Sequence, residues 1–249
     1  MPVGAAGEGE AQRIAFAVQD KHYKNPVDRM FAIADAFNQE YHELADAGCP
    51  VIQIEEPQMH LLAARGVTDP VINPKLMLEV FNRTVKGLRA KTEVWAHSCW
   101  GNPSQQRMFA SVQSYKASLE LYNQVDADVV TFESSSSGGM DLEAIGKSIT
   151  GKKVSIGVID HHTLQVEQPS QVADQIRAAL KHIPAERLVI STDCGMGREG
   201  MSRRHAAYKT VSLVLGTNMV RKEIGAPEAQ VLAADARYSL VQTIKDGVA

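Results

Sequence analysis

Two of the three cysteines in this chain stand among residues suited to metal chemistry. In His97-Ser98-Cys99, an extended backbone would point residues i and i+2 the same way, so one imidazole and one thiolate can reach a common ion. Glu133 adds a carboxylate and Cys194 a second thiolate. Together they offer one nitrogen, one oxygen and two sulfurs, a donor set that suits tetrahedral zinc. Two further clusters carry acid–base groups, Asp160-His161-His162 and Glu55-Glu56-Pro57. The third cysteine, Cys49, precedes the apolar run PVIQI and reads as a small core residue. Taken alone, His-X-Cys also describes a packed polar pair, so the elements that carry these residues decide between the two readings.

Five short β-branched runs read as strands: 50–54 (PVIQI), 92–96 (TEVWA), 128–132 (DVVTF), 153–159 (KVSIGVI) and 187–191 (RLVIS), with a weaker run at 14–18. Helical periodicity covers 26–47 and a segment opened by Asn73-Pro74, then 104–124, 141–149, 170–183, 199–215 and 228–246. Pro57 reads as a breaker after the first strand, and Ser134 to Gly139 (SSSSGG) as a flexible loop. Strand–helix alternation of this regularity predicts a parallel sheet with crossover helices. Each acidic, His or Cys cluster follows the carboxyl end of a strand, where parallel α/β folds place their active sites.

With 249 residues and 44% hydrophobic content, one domain over 1–249 accounts for the chain, its first twelve residues being expected as flexible. Lys and Arg total 26 against 29 Asp and Glu, a formal charge of -3. That balance points to neither nucleic acid nor a membrane surface as partner. No apolar run approaches the ~18 residues of a span, and the start MPVGAAGEGEAQR lacks the pattern of a secretion signal. A cytoplasmic setting, with thiols kept reduced, is the expectation.

The segments IQIEEP (52–57), HSC (97–99), GVIDHH (157–162) and IPAERLVISTDCG (183–195) resemble the catalytic barrel of cobalamin-independent methionine synthase, where the corresponding stretches read IQIDEP, HMC, GVYDIH and IPAERLWVNPDCG. The resemblance runs over roughly 40–215, with motifs in the same order and mostly matching intervals, the stretch between Cys99 and Glu133 being longer here. It implies a (β/α)8 TIM-barrel fold and zinc-dependent methyl transfer from 5-methyltetrahydrofolate to homocysteine. Position by position, it implies His97, Cys99, Glu133 and Cys194 as zinc ligands and Glu55, with Glu56 beside it, as the contact to the substrate amino group. His162 is implied as the proton donor, and Asp160, two residues before it, is the candidate to orient its ring. Two thiolates and a carboxylate leave a zinc site negatively charged, which favours alkylation of a bound sulfur over activation of water.

The family's first two barrel strands have no counterpart in this sequence, so the expectation is a TIM-type barrel lacking two strands. Its exposed sheet edges would be covered by a second copy or by a partner chain. The family resemblance also extends to epoxyalkane:coenzyme M transferases, which alkylate a sulfonate-bearing thiol. For such a substrate Arg198, Arg203 and Arg204 would supply positive charge, although a solvated helix start describes them equally. A third reading is a zinc-binding subunit without turnover of its own. Trp95 and Trp100 flank His-X-Cys and suit either a pocket wall or the core.

Overall fold

The computed structural model describes residues 22–100, 114–197 and 200–231 of the chain. Helix α1 spans Pro26–Asp46, with the Asn25 side chain accepting the Val27 N–H and proline at the first turn, where its missing donor costs nothing. Strand β1, Val51–Glu55, leads directly into α2, Pro57–Ala64. Pro57 therefore starts a helix instead of interrupting the chain, because Glu56 caps it through the Met59 N–H at 2.9 Å. Helix α3, Pro74–Thr84, begins at Asn73 as expected. Strand β2 is Glu93–Ser98.

Of the helix expected over 104–124, residues 104–113 lie outside the described residues. The remainder forms a 3-10 turn at Tyr115–Ala117 and α4 at Leu119–Gln124. Then follow β3 (Val129–Phe132), α5 (Leu142–Ser148), β4 (Lys153–Gly157), α6 (Pro169–Leu180), β5 (Leu188–Ser191) and α7 (Arg203–Glu223). Helix α7 starts later and runs longer than the periodicity suggests. Its start is set by the Ser202 hydroxyl, which accepts the His205 N–H, and beyond its end Gly225 adopts a left-handed φ of 70°. The weak strand at 14–18, the expected flexible start at 1–12 and the helical pattern beyond 231 fall outside the described residues.

All five strands are parallel and stand in sequence order, β1-β2-β3-β4-β5. Right-handed crossovers that never reverse direction place their helices on one face, which is barrel topology; a doubly wound sheet reverses its order midway. The core forms between that face and the helices. Val94, Ala96, Val130, Phe132, Val154 and Ile156 pack with Phe81, Leu88, Tyr122, Ile145, Val172 and Ile176, all buried. Alternate residues form the other face, where Gln53 pairs with Trp95 in one row and His97, Thr131 and Ser155 pair in the next. Strands β1 and β5 are the edges of this sheet, and Val51 on β1 is 41% exposed. The architecture is thus an α/β sheet of TIM-barrel type with five strands among the described residues.

Candidate metal centre

Ladder register builds the centre. Glu55 pairs with His97 across β1–β2, and His97 pairs with Thr131 across β2–β3, so the three share one layer on one face. The His97 Nδ1 hydrogen-bonds Thr131 Oγ1 at 2.7 Å, while Nε2 stands 3.6 Å from Glu55 Oε2. His97 is buried, and its Nε2 has no hydrogen-bond partner. A histidine anchored through Nδ1 with a buried, unsatisfied Nε2 is arranged as metal ligands usually are.

Beyond β2 and β5 the two cysteines join it. One ligand atom each from His97, Cys99 and Cys194 lie within 4.8 Å of one another, all three residues being buried. Hydrogen bonding from Cys99 outweighs the burial that opposes ionisation and, with His97, lowers the Cys194 thiol to about 3. Burial by itself would depress the His97 imidazole, but Cys194, Glu55 and Glu133 outweigh it and raise its affinity for a proton. A thiolate beside an imidazole that attracts positive charge is the electrostatic signature of a site for a soft cation.

Glu133, one residue past β3, stands with a different pair. Its Oε1 lies 3.7 Å from the Nδ1 of both His161 and His162, and these three form a second cluster able to hold a cation. The carboxylate is buried and accepts from the Trp100 N–H at 3.1 Å and the Ser136 hydroxyl at 2.9 Å. Burial raises its pKa despite those donors and the neighbouring His162. Cys194 still lies close enough to act on it electrostatically, so the two clusters adjoin.

Asp193 ties the loops together. Its Oδ1 accepts the N–H groups of Ser134 and Ser135 and its Oδ2 that of Ser136, each at 2.8 Å. The serine stretch expected as a flexible loop is thereby a tethered turn, and Glu133 beside it is held relative to Cys194. Burial pushes the Asp193 carboxyl up to about 7 against the pull of the three amides.

After β4, the Asp160 Oδ1 accepts both the backbone N–H of His162, at 2.7 Å, and its ring Nδ1, at 3.0 Å. Burial of Asp160 opposes ionisation, but those two bonds prevail and hold its pKa below the usual value. The His162 ring is 19% exposed and packs against wholly buried His161, ring centroids 4.0 Å apart. This gives a partly accessible imidazole with a carboxylate on one nitrogen, an arrangement able to deliver a proton.

Of the four residues expected together, the structure brings His97, Cys99 and Cys194 into one group and sets Glu133 in the adjoining group with His161 and His162. The sequence assigns no separate role to His161, Thr131 or Asp193, although His161 belongs to the Asp160-His161-His162 cluster. The available signals were modest: His161 shares a tripeptide with His162, and Asp193 precedes Cys194. Glu55 is exposed beside His97, whereas the Glu56 carboxylate caps α2 and its peptide binds His97 O and the Tyr122 hydroxyl. Trp100 is buried against Tyr115, and Trp95 is half-buried with its indole N–H on Glu93. Cys49, expected in the core, is only partly buried in the loop before β1, at the end of the sheet away from the cluster. Arg203 and Arg204 are exposed at the start of α7, and Arg198 lies outside the described residues.

Comparison with known proteins gives a consistent result. The family model for the cobalamin-independent synthase catalytic domain matches residues 17–214. A methionine synthase from Saccharolobus solfataricus is 32% identical over 205 residues, 82% of this chain and 54% of the relative. One from Thermococcus kodakarensis is 29% identical over the same share. A solved structure of a B12-independent methionine synthase from Shewanella sp. W3-18-1, in complex with selenomethionine, superposes with a TM-score of 0.69 at 29% identity, over 82% of this chain and 58% of that one. The chain spans about half the length of the curated relatives it matches.

Proposed function

The chain belongs to the cobalamin-independent synthase family through its catalytic domain, and from that premise we propose that it transfers a methyl group to a thiol, from 5-methyltetrahydrofolate to homocysteine, in a zinc-dependent reaction. The observation that carries the reading is the buried trio His97, Cys99 and Cys194, whose ligand atoms lie within 4.8 Å of one another while the His97 Nε2 is left unsatisfied. That donor set fits zinc, and His97, Cys99, Glu133 and Cys194 would hold it. When bound, zinc supplies the positive charge that keeps a substrate thiol deprotonated near neutral pH.

The chain's own residues would do the rest. Glu55, exposed beside His97, would take the amino group of homocysteine, and neighbouring Glu56 would fix the chain there by capping α2. As the methyl carbon forms its bond to sulfur and leaves nitrogen, that nitrogen needs a proton. His162 would give it, with Asp160 holding Nδ1 so that the other ring nitrogen faces the donor. The half-buried Leu188 and Ile190 of β5 and Leu213 of α7, with exposed Ile224 just past that helix, line an open groove of about 460 Å³ at the sheet edge. We read that edge as covered by a second copy or a partner chain. Cys49, Cys99 and Cys194 form no disulfide, and no helix among the described residues is long and apolar enough to cross a membrane; the setting we propose is the cytoplasm.

Metal analysis with X-ray absorption, with and without homocysteine, tests the reading. The expected result is one zinc in a shell of nitrogen, oxygen and two sulfurs that gains a sulfur when homocysteine is added. A chain isolated from zinc-replete medium without zinc overturns it. A shell that gains sulfur from coenzyme M and not from homocysteine moves the chain to the epoxyalkane:coenzyme M type of reaction. Zinc bound with no thiol alkylated would leave a zinc-binding subunit.

A further inference from the structure

Lys209 is wholly buried in α7, an uncommon place for an ammonium group. Its Nζ donates to Glu167 Oε1 at 2.9 Å and Oε2 at 3.0 Å, and to the backbone carbonyl of Asp160 at 3.0 Å. Glu167 Oε1 in turn accepts the Asp160 N–H at 3.0 Å. Both polar groups of the Asp160 backbone are therefore held by a single buried ion pair.

The surroundings are built around this pair. One turn beyond Lys209 on α7, the Ser212 hydroxyl binds the Glu167 carbonyl, so Glu167 is gripped at both its side chain and its peptide. Gly216, the next turn along, lets α7 approach the start of α6: a Cβ there would come within 2.6 Å of Val172 Cβ. The loop from Asp160 to α6 is thus pressed against a row of α7 residues at helical spacing. Breaking a buried ion pair is costly, and a hydrophobic pair of similar volume usually serves stability as well. Stability alone therefore does not call for these charges. What they add is a fixed peptide at Asp160, the residue that binds His162 at two points.

We propose that Lys209 and Glu167 are positioning residues that clamp Asp160 and, through it, hold the His162 imidazole over the neighbouring cluster. The inference rests on the proposed role of His162 in proton delivery, but the clamp itself has an independent readout.

The test uses Lys209→Met, the paired Lys209→Met/Glu167→Leu and His162→Ala, all in the full chain loaded with zinc. The paired variant removes both charges and guards against simple misfolding. In hydrogen–deuterium exchange of the free protein, the paired variant should lose protection at the Asp160 and His162 amides while the strands keep theirs. Its kcat should fall roughly 100-fold, the cost of misplacing a catalytic group by about an ångström, with KM for the thiol and zinc content unchanged. In a His162→Ala background the same paired change should cost nothing further. Unchanged protection at Asp160 and His162 overturns the clamp. Protection lost with kcat intact, or a loss that adds fully to that of His162→Ala, overturns its link to His162. Should His162→Ala itself turn over at the full rate, the proton-donor role falls, while lost protection would still establish the clamp.

Discussion

Gly157, the last residue of β4, packs directly against the backbone of Asp193. A Cβ on Gly157 would stand 2.6 Å from the Asp193 Cα and 2.8 Å from its amide nitrogen. Nothing larger than glycine allows that approach, and the approach is what brings the Asp193 carboxylate under the amides of Ser134, Ser135 and Ser136. One missing methyl group thus sets how the loops bearing Glu133 and Cys194 meet.

Gly157→Ala is accordingly expected to destabilise the chain by about 3 kcal/mol, since backbone rather than a side-chain tip must move. Urea denaturation measures it. A change under about 1 kcal/mol would show that β4 and the Asp193 loop part easily.

Zinc affinity should respond to Thr131 as well as to the cysteines. Thr131→Val removes the partner of His97 Nδ1 and should weaken zinc binding by ~10- to 100-fold while the fold persists. Cys99→Ser, which removes a sulfur itself, should weaken it further. Competition with a chromophoric chelator reads both, and unaltered affinity in Cys99→Ser would remove that sulfur from the site.

His162→Ala should retain zinc yet lose ~100- to 10,000-fold in methyl transfer, the usual contribution of a general acid. Elemental analysis and a folate-dependent assay separate the two effects. Zinc lost along with activity would instead assign His162, which lies 3.7 Å from Glu133, to the metal shell.

Glu56 gives a pH signature. Burial raises its carboxyl from 4.5 to about 7 in the folded chain, against the helix amides that favour ionisation. Below 4.5 both states carry the proton and nothing is lost. Between there and about 7 the unfolded chain ionises first, so stability declines as pH rises and levels off above that range. Glu56→Gln, which keeps an oxygen for the Met59 N–H, should match the parent near pH 4.5 and exceed it by up to ~3 kcal/mol at pH 8. Equal stabilities at both pH values would contradict this.

The sequence by itself determined the strands, the helices with strong caps and the position of each reactive cluster at a strand end. Those features are local: a two-residue period fixes which side chains share a face, so the pairing of His97 with Cys99 is legible in the sequence alone. The family's motifs then tied in Cys194, nearly a hundred positions away. Pro57 misled because a proline both ends and begins helices, and only the Glu56 cap distinguishes the cases. The serine stretch misled because its composition is that of a loop, while its rigidity comes from Asp193, 57 to 59 residues further on. Tertiary structure alone decided that Glu133 stands with His161 and His162, that His161 is buried, and that a lysine on α7 fixes the Asp160 peptide. Each of these depends on ladder register and on which way a side chain turns between packed elements, and no local period in the chain encodes either.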